Sequence, residues 1–320
     1  MIVSESVGRD GLRLIVWFPL RWMLERLSFA HCLALLRRIG DLHCMVSPGK
    51  RRKLAANYHR LCRNRVPGSM PPAQDVIREY FRNHYIDHLM IFRFPGAGQQ
   101  EIFQHVELEG LEHLDHSLKR GHGAILVHGH FGPVHLPLVS LGRKGYSMMQ
   151  ITMPSDEGLS RIGRNVAFRY RLQYESRFPA EMVDARSFLR PVIRWLAGNG
   201  VVMITGDGSG TSERAGKHEI FPFFGFPVAF PLGPARLARK TGAELLPLFI
   251  VPEKTGSYRV VIEPPIPTSL DASGDGGVVG AFIERLENYI VYFPGFMHFL
   301  DRFEMGRMIE TPKSDAPSVC

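Results

Sequence analysis

Cysteine is scarce in this sequence: Cys32, Cys44, Cys62 and Cys320 are the only four in 320 residues, and no two form a CxxC pair. A disulfide scaffold and a thiolate-rich metal site are thereby excluded, and a reducing compartment is expected. Long hydrophobic runs are missing too. The most apolar stretch, LRLIVWFPLRWML from Leu12 to Leu24, is about two-thirds of a bilayer crossing and is interrupted by Arg13, Pro19 and Arg21. A transmembrane helix is not expected there. No small-residue cleavage site follows, and Arg26, Arg37 and Arg38 come soon after, which argues against a cleaved secretory signal. Acid is the minority charge: 31 Asp plus Glu face 39 Lys plus Arg, a formal balance of +8. Charge alone leaves a nucleic acid, an anionic membrane surface and an acidic carrier protein open as partners.

What is present is an ordinary globular balance, 45% hydrophobic and 22% charged. The Leu12–Leu24 run fits an amphipathic helix or apolar hairpin lying in a membrane interface, with Trp17, Phe18 and Trp22 at headgroup depth and arginines reaching anionic lipid. A core helix is its alternative. The basic run Lys50, Arg51, Arg52 and Lys53 would add attraction, or simply begin a solvated helix. From Leu27 to Phe94 apolar residues recur at three and four, which predicts two or three helices without a strand.

Alternation begins at Val106. Val106–Glu109 reads as a strand, Leu111–Lys119 as a helix capped by Gly121, and residues 123–128 as a buried strand. Asp184–Ala197 reads as a helix ended by Gly198, and Val201–Thr205 as a second buried strand. Pro234 opens a helix that Gly242 ends, and strands follow at Leu245–Val251 and Tyr258–Glu263. The expected fold is α/β: a mainly parallel central sheet flanked by helices (residues 105–304), preceded by a helical, membrane-associating annex (1–104). Residues 305–320 read as a disordered tail.

The segment that carries chemistry is LVHGHFGPVHLP, residues 126–137. His128 and His130 lie two apart at a strand end, and Gly132 and Pro133 break the strand to begin a helix. A helix N-terminus there would hold an anion or a developing oxyanion and favour a neutral imidazole, the form a general base needs. His130 is the candidate base, against the reading of a structural histidine.

The blocks VELEGLEHLDHSLKRGHGAILVHGHFG, LAGNGVVMITGD, PFFGFPVAFPLGPARLARKTGAELLPLF and IEPPIP, in this order, resemble the bacterial lipid A biosynthesis acyltransferases. These are the late lauroyl and myristoyl transferases of the lysophospholipid acyltransferase superfamily. The resemblance runs from about Val106 to Phe303 and more weakly through the N-terminal helices. It implies O-acyl transfer from acyl carrier protein or coenzyme A thioester, as co-substrate, to a hydroxyl of a lipid or glycolipid acceptor. A lipid A-like acceptor is favoured, hence lipopolysaccharide biosynthesis at the cytoplasmic face of the inner membrane. It implies no resident cofactor, no metal and no nucleic-acid partner.

The family's hallmark is His, four residues, then Asp or Glu; here Gly129-His130-Phe131-Gly132-Pro133-Val134-His135 keeps the histidine and the glycine turn but carries His135 at the acidic position. A histidine supplies no negative charge there. In serine-protease triads a neutral replacement of the orienting carboxylate costs roughly 10⁴ in rate. His135 as a neutral acceptor, or Asp207 after the next strand, remains to orient His130. By the same resemblance Asn165, Arg169 and Arg171 suit an acceptor phosphate or the thioester oxygen, with the arginine assignment free to slip by two. Gly129, Phe131 and Gly132 line the site, Gly206, Gly208 and Gly210 permit close approach, and Phe221, Phe223, Phe224 and Phe226 offer wall for an acyl tail or pack as core. Two rival readings stand beside this one: a zinc-dependent hydrolase using His128 and His130 with His135 or Asp207 to complete the set, and a lipid- or acyl-carrier-binding homologue without chemistry. His84 and His88, at helical spacing, read as a helix face.

Overall fold

The computed structural model describes residues 6–63, 70–187, 189–207, 216–254, 256–268 and 274–303; the expected tail 305–320, Gly208 and Gly210 lie outside the described residues. Helices α1 (Val7–Ile15), α2 (Arg21–Arg26), α3 (Phe29–Val46), α4 (Pro48–Cys62), α5 (Ala73–Leu89) and α6 (Gln99–Phe103) come first. Then follow β1 (Val106–Glu109), α7 (Leu111–Lys119), β2 (Ala124–His128), α8 (His135–Lys144), β3 (Met148–Thr152), α9 (Arg169–Glu175), β4 (Glu181–Asp184), α10 (Arg190–Ala197) and β5 (Val201–Thr205). The chain continues through β6 (His218–Phe223), β7 (Phe226–Pro231), α11 (Gly233–Thr241), β8 (Glu244–Pro252), β9 (Tyr258–Ile262) and α12 (Gly274–Tyr292).

Seven strands form the central sheet in the order β1-β9-β8-β2-β5-β3-β4. Every neighbouring pair is parallel except β8 with β9. The fold is therefore the expected α/β architecture. Strand β2 is buried at every residue, which is why AILVH is a continuous apolar run: helices cover both faces of a parallel sheet, so neither face needs polar side chains. Strands β6 and β7 stand apart as an antiparallel hairpin, a pairing that the sequence reading did not contain.

Asp184 closes β4 and does not open a helix. Its carboxylate accepts the Arg186 N–H at 2.9 Å, a turn that stops the strand, and the helix begins only at Arg190, with Pro191 in its first turn. Strand β3 and helix α9 likewise have no counterpart among the elements expected from the sequence.

The described residues before β1 are helical wherever they are regular. Helices α3 and α5 cross closely at Gly40, where a Cβ would come within 2.7 Å of the Arg82 Cα. Asp41 fixes the crossing by accepting from Arg78 (2.8 Å) and Arg82 (2.7 Å). The α1 and α2 helices are joined by a wider turn, Val16–Leu20, around Pro19, which lacks the N–H that would continue the ordinary ladder. No described helix is long and apolar enough to cross a membrane. Leu12, Ile15, Phe18 and Trp22 are exposed along this run. Trp17 is not at an open surface: it is buried against Phe92 and the Tyr170 and Tyr174 rings. Arg13 and Arg21 are likewise turned inward, onto Ser160 and Tyr174 at 3.1 and 3.0 Å.

Candidate active site

The site is built where β2 and β5, neighbours in register from Ala124↔Val201 to His128↔Thr205, both end. The chain leaving β2 carries His130, and the chain leaving β5 carries Asp207. Their adjacency follows from strand pairing between segments far apart in sequence. Asp207 grips His130 twice: Oδ2 accepts the backbone N–H at 2.6 Å and Oδ1 stands 2.7 Å from ring Nδ1. The carboxylate is 7% exposed while a third of the His130 side chain stays open. A bond from Nδ1–H to the carboxylate leaves Nε2 as the nitrogen that takes a proton.

Burial would lower the His130 pKa, but the Asp207 carboxylate, joined by that of Asp87, outweighs it and holds the imidazole above its ordinary value. Burial likewise pushes Asp207 up, and His130 more than reverses this, keeping it ionised. The expectation that a helix terminus sets His130 neutral is thus replaced by a carboxylate partner. The helix itself starts late, at His135, and the Val134 N–H before it already donates to Asp87 Oδ1 at 3.0 Å. That N–H is engaged within the protein and is not offered to a developing oxyanion.

The turn between strand and helix is tightly specified. Gly132 has φ +70°, and a Cβ there would lie 2.9 Å from the Phe296 ring. A Cβ on Gly129 would approach Leu286 at 3.0 Å and Asp207 Oδ2 at 3.3 Å. Phe131 is buried against Phe296 and Tyr289 and anchors the turn to the core. The last described segment pairs with this turn: Gly132 N–H donates to Phe296 O at 2.9 Å and His298 N–H to His130 O at 3.0 Å. His298 Nε2–H donates to Gly132 O at 2.7 Å, and the edge of Phe299 meets the His130 ring.

His135 does not take the orienting role. Its Nε2 lies 3.5 Å from Glu175 Oε1, which also accepts from Arg171 Nε at 2.7 Å. Burial pushes Glu175 up, but His135 and Arg171 bring it down to about 2. Helix α9 and its preceding turn separate the three residues grouped on sequence. Asn165 and Arg169 line a shallow surface cleft of about 480 Å³ with Phe168 and Leu172, whereas Arg171 is engaged with Glu175 beside His135. Phe223 and Phe224 pack with Phe230, Phe226 and Phe303 in one aromatic cluster. Both are buried, as core packing requires.

His128 is buried, its Nδ1 lies 3.0 Å from Gly129 O, and burial lowers its pKa to about 4. Among the described residues no three His, Cys, Asp or Glu side chains group as a metal site. The His84 and His88 rings lie 4.4 Å apart on α5, tilted by 41°. Glu175, Asp87 and His298 escaped the sequence reading because nothing local marks them: each meets its partner only through the tertiary fold.

Three matches to known proteins bear on this geometry. The chain is 26% identical over 295 residues to the phosphatidylinositol mannoside acyltransferase of Mycolicibacterium smegmatis, covering 88% of this chain and 92% of that protein. It is 26% identical over 235 residues to the phosphatidylinositol mannoside acyltransferase of Mycobacterium tuberculosis, covering 71% of this chain and 70% of the relative. Residues 13–303, which include the His130 turn, Asp207 and the closing Phe296–His298 segment, match the family profile described as bacterial lipid A biosynthesis acyltransferase. The chain belongs to that acyltransferase family.

Proposed function

We propose that the protein moves a fatty acyl chain from a thioester, carried by acyl carrier protein or coenzyme A, to a hydroxyl of a glycolipid acceptor. The observation that carries this reading is the buried Asp207 carboxylate 2.7 Å from His130 Nδ1. In the proposed step the acceptor O–H gives its proton to His130 Nε2 as its oxygen attacks the thioester carbonyl. Asp207 keeps the proton of His130 on Nδ1 and stabilises the imidazolium. The tetrahedral intermediate collapses, the C–S bond breaks, and the leaving thiolate takes the proton back from His130. No covalent acyl-enzyme is needed.

The family and the relatives support the acceptor class: lipid A and phosphatidylinositol mannoside are both phosphate-bearing glycolipids, so a sugar hydroxyl on such a lipid is the proposed target. Arg169 with Asn165, in a cleft also walled by Phe168 and Leu172, suits its anionic head. Peripheral seating on the cytoplasmic face of the cytoplasmic membrane is proposed from the exposed Leu12, Ile15, Phe18 and Trp22. Arg26 lies 4.0 Å above the Trp22 ring, which places a cation beside the apolar edge.

The test offers acyl carrier protein and coenzyme A thioesters to a bacterial lipid extract and reads products by mass spectrometry. A lipid gaining one acyl chain, with free thiol released in equal amount, is the expected result. No acylated lipid from any donor would overturn the transferase and leave a binding role.

A further inference from the structure

A second carboxylate reaches the His130 turn from the helical annex. Asp87 sits in the last turn of α5, 8% exposed, and its two oxygens are divided between different elements. Oδ1 accepts the Val134 N–H at 3.0 Å, at the start of α8. Oδ2 lies 3.3 Å from His88 Nδ1 and 3.8 Å from His298 Nδ1. The other nitrogen of that same His298 holds Gly132 O at 2.7 Å, and its backbone holds His130 O. Asp87 and His298 therefore bracket the turn from His130 to Val134 at three of its backbone groups.

A serine or asparagine would satisfy one backbone N–H at a helix start equally well. An ionised carboxylate in this place carries a desolvation cost that a neutral cap avoids, so the charge calls for a reason. Burial alone would raise the Asp87 pKa; His298, His88, His135 and the Val134 N–H bring it down to about 2 instead, and its charge acts in turn on His130. His130 is faced by Asp207 beyond β5, by His298 and Arg302 from the closing segment, by His128 from β2 and by Asp87 from α5. Asp87 is faced by His84 and His88 on its own helix, His298, His135 on α8 and Arg171 on α9.

The geometry points to Asp87 as a positioning residue for the proposed transfer: it holds the start of α8 and, through His298, the turn that carries His130, and it adds a second negative charge beside that of Asp207 when His130 takes the acceptor's proton. The inference rests on His130 being the base of the proposed reaction.

Asp87→Asn keeps an oxygen for the Val134 N–H and removes the charge. Two readouts on the full chain separate this proposal from the reaction it serves. The first is the His130 ring titration by NMR with ¹³C-labelled histidine, assigned with His130→Gln. The second is the rate of acyl transfer against pH. Asp87→Asn is expected to lower the His130 midpoint by about half to one pH unit. The acid limb of the rate should shift with it, with kcat down about tenfold and KM within about twofold. An unchanged midpoint in the folded variant overturns the proposal and reduces Asp87 to a helix cap. A midpoint that falls while the unaltered protein transfers nothing overturns the transferase and keeps the coupling of Asp87 to His130. If Asp87→Asn does not fold, His298→Leu and His298→Gln decide. Leu removes the donor to Gly132 O and should lose about tenfold in kcat at constant KM, and Gln, whose amide N–H reaches the same oxygen, should recover part of it. Equal loss in both overturns the bracket.

Discussion

Asp207→Asn isolates the orienting carboxylate. Asp207 accepts two short bonds from one residue, the His130 backbone N–H at 2.6 Å and ring Nδ1 at 2.7 Å. Asparagine has a single oxygen for both. With that oxygen on the ring, the NH₂ meets the backbone N–H, and a buried donor is left unpaired at about 1–3 kcal/mol. With it on the backbone, the NH₂ donates to Nδ1 and confines the ring proton to Nε2, the position that must receive the acceptor's proton. Both arrangements weaken the base, so kcat should fall by about 10² to 10⁴, roughly 3 to 5.5 kcal/mol of barrier. The pH dependence has a definite sign. Burial lowers the His130 pKa, and Asp207 together with Asp87 more than offsets it; the base works neutral, so the rate rises with pH through that pKa. Removing the charge moves the acid limb to lower pH while the plateau drops. Initial rates of acyl transfer from about pH 5 to about pH 9 measure both effects. A variant within about threefold of the unaltered protein across that range would refute the assignment of Asp207.

Three further outcomes follow from contacts already described. His135→Glu puts a carboxylate beside Glu175, whose Oε1 is now 3.5 Å from His135 Nε2; denaturant midpoints should show a loss of about 2–3 kcal/mol, less than for a fully buried pair because Arg171 still faces Glu175, and Glu175→Gln should restore most of it. Gly132→Ala forces a Cβ to within 2.9 Å of the Phe296 ring at φ +70°, so stability should drop by about 2 kcal/mol, and an unchanged melting temperature would contradict the described turn. Phe18→Ala with Trp22→Ala removes two exposed rings; sedimentation with anionic vesicles should show partitioning reduced at least about tenfold at unchanged melting temperature, and equal binding would remove this run from the membrane contact.

The sheet was largely legible because its strands are apolar runs bounded by glycine and charge. Val106–Glu109 and Val201–Thr205 fall where alternation and buried runs put them. Asp184 misled because a short polar side chain reads equally as a helix cap and as a strand stop; Arg186, two residues on, decided the matter by its N–H. His130 was readable from a strand end followed by Gly132 and Pro133. Its partner was readable only as a choice between His135 and Asp207, since the pairing of β2 with β5 sets the distance and no local pattern encodes it. Asp87 and His298 are further from view still. They lie far from His130 in sequence, on α5 and in the closing segment, and only their packing on the Gly132 turn gives them a role. Trp17 shows the limit of composition: it shares an apolar run with Phe18 and Trp22, yet Tyr170, Tyr174 and Phe92 enclose it.

The most direct test of the central claim is single-turnover acyl transfer with His130→Ala, compared with the unaltered protein at saturating thioester and acceptor. The account predicts a loss of about 10² to 10⁴ in the transfer rate, with the variant folded and still binding both substrates. Transfer at the unaltered rate by folded His130→Ala would contradict it.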